Sequence, residues 1–378
     1  MKMKIAIVCY PTFGGSGVMA TELGMSLVNH GHEVHFIAYK KPVRLTDLNQ
    51  NLHFHKVNVP DYPLFSFVPY ELALSTKLVD VVKNNSIDVL HVHYAIPHAY
   101  AAYMAKKMLK EQSINIPIVT TLHGTDITLV GNHPSYKTAV TFSINKSDIV
   151  TCVSQSLKED TLDQFDIKKE IVVIPNFIDI SKYIIQQDLC LHENPIPAKE
   201  FIISHVSNFR PVKNVTNVIK IFYNIQKQLK AQLLMIGEGP EKSVAEDLCK
   251  ELGISHLVKF LGNTNQVEKN LCHSDLFLLP SSAESFGLAA LEAMASKVAV
   301  ISSNAGGLPE INIDGETGYV EDFDNIDEMS KKAISILSSK EQLDSFKNKA
   351  FLKAKEYDIN NLVPLYEKTY QMALDSIK

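Results

Sequence analysis

Short apolar runs alternate with longer amphipathic stretches along most of this chain, the signature of a parallel α/β sheet. The pattern predicts strands over residues 4–10, 33–38, 89–93, 118–122, 149–153 and 171–174. Helices are predicted near 17–29, 73–84, 99–111 and 157–165. The pattern then restarts, with strands over 201–206, 232–236, 258–260, 276–279 and 299–302. Between the halves, residues 184–199 are polar, carry Pro195 and Pro197, and show no strong periodicity. At 378 residues the chain is long for one domain. It is expected to divide into residues 1–180 and 181–359, with 360–378 forming a closing helix.

Candidate chemistry collects in the segments that follow these strands, where open parallel sheets bind ligands. Pro280 ends the apolar run Leu276 to Leu279, and from about Phe286 the residues favour helix. The amides around Ser285, Phe286, Gly287 and Leu288 are then expected as the free donors of a first turn, which attract phosphate. Glu284 precedes that turn, and Glu292 lies just over two turns after Glu284. One carboxylate can meet sugar hydroxyls and the other a ribose diol.

Arg210 and Lys213, three apart in Asn208-Phe-Arg-Pro-Val-Lys213, can reach one diphosphate, the first as a fork and the second as a point charge. After the first strand comes Gly14-Gly15-Ser16-Gly17, whose glycines let backbone approach a ligand. Gly15 to Ala20 fits a relaxed dinucleotide fingerprint. NAD is disfavoured, because the loop before the first glycine is long and the second strand ends in Ala38-Tyr39-Lys40-Lys41, without a ribose-binding acid. His123 closes another strand and is expected at the sheet's carboxyl end, with Asp126 orienting or capping.

Metal chemistry finds little support. His91 and His93 share a strand face, yet no nearby Cys or third acid completes a zinc set. Asp322-Phe-Asp324 lies in an acidic run that reads as a solvated loop entering a helix. The net charge of -5 argues against nucleic acid. No apolar run approaches the roughly 20 residues that span a bilayer. The basic start reads as a strand rather than a signal peptide. The apolar loop from Tyr62 to Tyr70 lacks flanking basic clusters, so stable membrane association is not expected. Five scattered cysteines without Cys-x-x-Cys suit a reducing cytoplasm and small buried hydrophobes, not staples or a zinc site.

Glu284-Ser-Phe-Gly-Leu288 with Glu292, and Ser207-Asn-Phe-Arg210-x-x-Lys213, resemble the retaining nucleotide-sugar glycosyltransferases of family 4. The resemblance implies the GT-B architecture, two Rossmann-like domains facing each other across a cleft, with the last helix crossing back onto the first domain. Cys9-Tyr-Pro with Gly14 to Gly17, Phe67-Val-Pro-Tyr70, the His91 and Thr120 segments and Asn176-Phe-Ile-Asp179 extend it over essentially the whole chain. Within the family these segments resemble the members that move N-acetylglucosamine from UDP-GlcNAc to L-malate, which opens bacillithiol synthesis.

By this resemblance the donor is held by Gly15, Arg210, Lys213, Glu284, Ser285, Phe286, Gly287, Leu288 and Glu292. The acceptor meets Ser16, Tyr94, Thr121, Asn208 and Asn176. His123, Arg210, Lys213 and Glu284 carry the chemistry, with no metal and no resident cofactor. Another acceptor (inositol phosphate, a sugar or a lipid) stays open, as do a binding module without turnover and a homo-oligomer. The chain departs from the family pattern at Pro211, at Ser281-Ser-Ala before Glu284, and at Ser296-Lys.

Overall fold

A computed structural model describes residues 2–12, 14–45, 48–61, 63, 67–192 and 200–377. Tyr62, residues 64–66, Pro195 and Pro197 lie outside that set, so the loop and linker expectations resting on them are not addressed. The chain folds as two units: Met1–Asn176 with Ile359–Lys378, and Phe177–Asp358. No helix among the described residues is long and apolar enough to cross a membrane.

The first unit holds seven parallel strands: β1 (Lys4–Val8), β2 (Glu33–Ala38), β3 (Leu52–Lys56), β4 (Val89–His93), β5 (Ile118–Leu122), β6 (Ile149–Cys152) and β7 (Ile171–Val173). Their order is β3-β2-β1-β4-β5-β6-β7. Every residue of β4 and β5 is buried, as a parallel sheet covered on both faces requires. Helix Tyr100–Lys110 can lie close because Ala101, Ala102 and Ala105 face the core, beside Leu74, Leu78 and Val81 of helix Tyr70–Asn85. The closing helix Ile359–Asp375 belongs to this unit and buries Leu362, Tyr366, Tyr370 and Ala373, spaced three to four apart.

The second unit repeats the plan with β8 (Phe201–Val206), β9 (Ala231–Ile236), β10 (Val258–Gly262), β11 (Leu276–Leu279), β12 (Ala299–Ser303) and β13 (Gly318–Glu321). Their order is β10-β9-β8-β11-β12-β13. Helix Val215–Gln226 buries Val215, Val218, Phe222 and Ile225 on one stripe against this sheet. In each sheet the chain order reverses at one place, between β1 and β4 and between β8 and β11. Such switch points open a crevice at the carboxyl ends of the strands.

The fold differs from the sequence reading in several places. The strands β3 and β13 and the helix Pro134–Lys146 had no predicted counterpart. In β3 the apolar Leu52 and Phe54 alternate with His53 and His55, so the run looks polar. Residues 184–192, read as polar and aperiodic, complete a helix, Ile180–His192. Asp179 begins it by accepting the amide of Ser181 at 3.1 Å. The cysteine reading is corrected as well, because Cys190 and Cys272 form a disulfide. Cys9, Cys152 and Cys249 are buried thiols outside that disulfide, as small hydrophobes are.

Candidate active site

At the second unit's switch point, the loop after β8 meets the loop after β11. His205 is fully buried in β8, with Nδ1 2.8 Å from the Leu278 carbonyl and Nε2 2.8 Å from Ser207 Oγ. The carbonyl only accepts, so Nδ1 carries the proton and Nε2 receives the Ser207 hydroxyl. Burial holds this ring down to about 4, so it stays neutral. Ser207 Oγ in turn accepts the Phe209 amide, and buried Phe209 takes the uncommon φ of 36°. Asn208 and Arg210 on either side are thereby left exposed.

The turn Pro211–Lys213 then ends in Asn214, whose side-chain amide donates to the Pro280 carbonyl at 2.9 Å. This fastens the basic loop to the segment that carries Glu284. Lys213 Nζ forms an ion pair with Glu284 Oε1, and Ser281 Oγ donates to the same oxygen at 3.3 Å. Glycines make the fit possible. A Cβ on Gly306 would stand 1.9 Å from the Glu284 carbonyl, and one on Gly239 2.0 Å from that of Asn208. Neither glycine was singled out from sequence, although Gly237-Glu-Gly-Pro and Gly306-Gly both follow predicted strands.

The phosphate-binding turn begins later than expected. The helix is Leu288–Ala295, with Gly287 at its N-cap at φ 99°. The Leu291 amide already bonds the Gly287 carbonyl, so the first-turn donors are the amides of Leu288, Ala289 and Ala290. Ser285 and Phe286 therefore precede the helix, because only glycine reaches this φ easily and it sets the start. Glu292 is buried on the same helix.

In the first unit the glycine loop and the β4 loop meet at the other switch point. Ser16 Oγ donates to Tyr94 OH at 2.7 Å. Helix Ser16–Asn29 starts there with Gly15 as N-cap at φ 59°, and a Cβ on Gly17 would come 2.4 Å from the Tyr10 carbonyl. Beside this pair, His93 Nδ1 lies 2.8 Å from His123 Nε2 with the rings stacked, so one of the two nitrogens carries the shared proton.

Beneath that pair the sheet is a closed polar network. His91 pairs with Thr121 Oγ1 at 2.7 Å and with Tyr370 OH of the closing helix at 2.8 Å. Thr121 Oγ1 also pairs with Thr151 at 2.7 Å. Thr121, expected to touch the acceptor, is fully buried with its hydroxyl engaged, so it supports the rings instead of facing ligand. His91, bonded at both nitrogens, has no free lone pair for a metal.

Asp126 caps the turn, accepting the amides of Ala95, His123 and Gly124, as its position suggested. Burial nonetheless raises its carboxyl to about 6. Burial, with nearby His98, holds His123 down to about 3, so its ring is neutral at pH 7. Asn176 ends the first unit, half-buried.

The family profile "Glycosyltransferase Family 4" matches residues 13–182, and "Glycosyl transferases group 1" matches residues 188–353. N-acetyl-alpha-D-glucosaminyl L-malate synthase of Bacillus anthracis is 45% identical over 342 residues, 90% of this chain and 89% of that protein. A Rickettsia africae glycosyltransferase superimposes with a TM-score of 0.80 at 21% identity, covering 99% of each chain. An Anabaena protein crystallised with UDP and glucose gives 0.76 at 19% identity, over 98% of this chain and 99% of that one. These folds are those of GT-B enzymes. The chain belongs to the family 4, group 1 glycosyltransferases.

Proposed function

We propose that this chain transfers N-acetylglucosamine from UDP-GlcNAc to the hydroxyl of L-malate with retention at the anomeric carbon, the opening step of bacillithiol synthesis. The observation that carries this reading is 45% identity across 90% of the chain to a relative whose name states that product.

The donor is assigned to the second unit's switch point. The amides of Leu288 to Ala290 and the Arg210 guanidinium meet the diphosphate, and Glu292 takes the ribose diol. Lys213, paired with Glu284 in this structure, is drawn by the stronger charge of the diphosphate and frees Glu284 for a GlcNAc hydroxyl. Ser285, Phe286 and Gly287 line the approach. The acceptor is assigned to Ser16 with the amides near Gly15, and to Tyr94. Asn176 is a further contact.

In the transfer, malate's hydroxyl oxygen bonds to the anomeric carbon as the bond from that carbon to the diphosphate breaks. Malate's hydroxyl proton passes to the departing phosphate oxygen, and attack and departure share one face of the sugar. Charge grows on the diphosphate, so preorganised donors there contribute most of the rate enhancement. Neutral His123 offers a hydrogen bond to sugar or acceptor. Neither a metal nor a resident cofactor is required, and turnover should survive EDTA. The reaction is assigned to the cytoplasm, where nucleotide sugars are made.

The test is UDP release from a panel of UDP-sugars against L-malate, D-malate, lactate and inositol phosphate. Release with UDP-GlcNAc that depends on L-malate, with lactate nearly inert, supports the reading. Equal turnover of lactate, or a preference for inositol phosphate, refutes the acceptor assignment.

A further inference from the structure

Away from both switch points, the outer edge of the first sheet carries an uncommon set of side chains. β3 is the edge strand, paired in parallel register with β2 so that His35 stands opposite His53. Side chains two apart share a face of a strand. Glu33 and His35 of β2 and His53 and His55 of β3 therefore project from the same side. His35 is buried, while the other three are half-buried.

The atoms converge. Glu33 Oε1 lies 3.1 Å from His35 Nε2 and 3.4 Å from His53 Nε2, and all three lie within 4.8 Å of one another. A tetrahedral ion with bonds of about 2.0–2.1 Å holds its donors about 3.3 Å apart. His53 Nε2 is itself buried without a hydrogen-bond partner, despite its proximity to the carboxylate. An orphaned polar atom of that kind is costly, and a network built only for hydrogen bonding would have used it.

We propose that Glu33, His35 and His53 form a binding site for a divalent transition metal of the zinc class, with His55 as the outer partner that orients His35. Imidazole and carboxylate together suit such ions. His35 Nδ1 is 2.9 Å from His55 Nε2, so a ring bound through Nε2 donates its remaining N–H to His55, as metal-bound histidines usually do. Without metal, the His35 Nε2 proton faces Glu33. With metal, that proton resides on Nδ1 and His55 carries its own on Nδ1.

The second oxygen of Glu33 is held by Lys4 at 3.3 Å, which leaves Oε1 aimed at the rings. Lys4 and Lys77 are the cations that act on this cluster, and burial is the larger influence keeping His35 and His55 unprotonated. The His53 side chain is 34% exposed, which gives an ion a path in and leaves a fourth position for water. Bound metal would lock the edge strand β3 onto β2.

The experiment is a titration of the full chain with Co²⁺, followed by its visible d–d absorption and displaced by Zn²⁺. Wild type should bind a single ion in a tetrahedral spectrum without thiolate charge transfer. His53→Gln and Glu33→Gln should each weaken binding by at least about tenfold, and His55→Phe by about 10–100-fold. All three should keep the wild-type circular dichroism, and Zn²⁺ should raise the melting temperature of wild type by more than that of any of the three. A second cluster, Cys190, Cys272 and His273, could also take a metal if reduced, so Cys190→Ser in Cys272→Ser background is the control and should bind like wild type. Absence of binding at micromolar Co²⁺, equal binding by His53→Gln, or loss of the signal in the cysteine variant would overturn the proposal.

Discussion

Lys213 and Glu284, 71 residues apart in sequence, are ion-paired across the switch point of the second sheet, each side chain largely withdrawn from water. Ser16 and Tyr94 join across the corresponding place in the first sheet. In both units the same topology brings the loop after the first strand against the loop after the strand beyond the reversal. The contacts found there are side chains that the sequence had marked for ligands, now partnered with each other.

The Lys213 pair sets a kinetic expectation. Lys213→Ala and Glu284→Ala should each lower kcat by about a hundredfold, near 3 kcal/mol, because both interactions gain strength in the transition state. The double variant should lose about the product of the singles, since in the donor complex Lys213 holds the diphosphate and Glu284 a GlcNAc hydroxyl. A change confined to KM would show that these side chains bind the donor uniformly and take no part in stabilising the transition state.

Gly306→Ala tests the packing under that pair. The new Cβ would meet the Glu284 carbonyl at 1.9 Å, so the loop carrying Glu284 has to move. UDP affinity by calorimetry should fall by about tenfold or more, over 1.4 kcal/mol. Gly14→Ala, with nothing within 4 Å of its Cβ, should leave UDP binding unchanged. Equal UDP binding by the Gly306 variant would mean that the loop carrying Glu284 does not position the groups that hold the diphosphate.

Thr121→Val should act on stability, not on acceptor choice. It strips partners from His91 and Thr151 in a fully buried network, a loss of about 1–3 kcal/mol. Denaturant unfolding should show this while the ratio of malate to lactate turnover stays near wild type. A selective loss of malate preference at unchanged stability would return Thr121 to the acceptor site.

Acid should destabilise the fold in a defined window. Burial holds His91 and His123 near 3 and His98 and His205 near 4, against an ordinary 6.5. His93, also buried, is held well below that value. Between about 4 and 6.5 the unfolded chain binds protons these rings refuse, so stability falls as pH drops, by up to about 1.4 kcal/mol per pH unit for each ring. Asp126 works in the opposite sense. Its carboxyl is raised from 3.8 to about 6, so the folded state gains on acidification across that interval and offsets roughly one ring. Urea unfolding from pH 4 to 8 should show a plateau above 6.5 and a steep decline below it. A flat profile would mean these rings are not buried neutral.

Much of this was legible in the chain, for stated reasons. β5 and β11 are continuous apolar or β-branched runs, β4 and β8 are mainly so with histidine or serine among them, and the bounds of all four were predicted correctly. The edge strands β7 and β10 were anticipated too, but β3 and β13 were not; β3 alternates with histidine and so resembles a loop in a hydropathy reading. The Cys190–Cys272 bond joins residues with a sequence separation of 82, a pairing that spacing alone cannot reveal. The interior position of Thr121 was hidden too. Whether a hydroxyl at a strand's carboxyl end faces ligand or neighbouring strands depends on Thr151 and His91, which sequence cannot place beside it.

Retaining transfer of N-acetylglucosamine to malate is tested most directly by the product itself. The chain should be incubated with UDP-GlcNAc and L-malate, and the isolated product examined by proton NMR. The account predicts a GlcNAc–malate conjugate, linked through malate's hydroxyl, whose anomeric coupling is the small one of an α-glycoside, as in the donor. A β-linked product, or free N-acetylglucosamine with no conjugate, would contradict it.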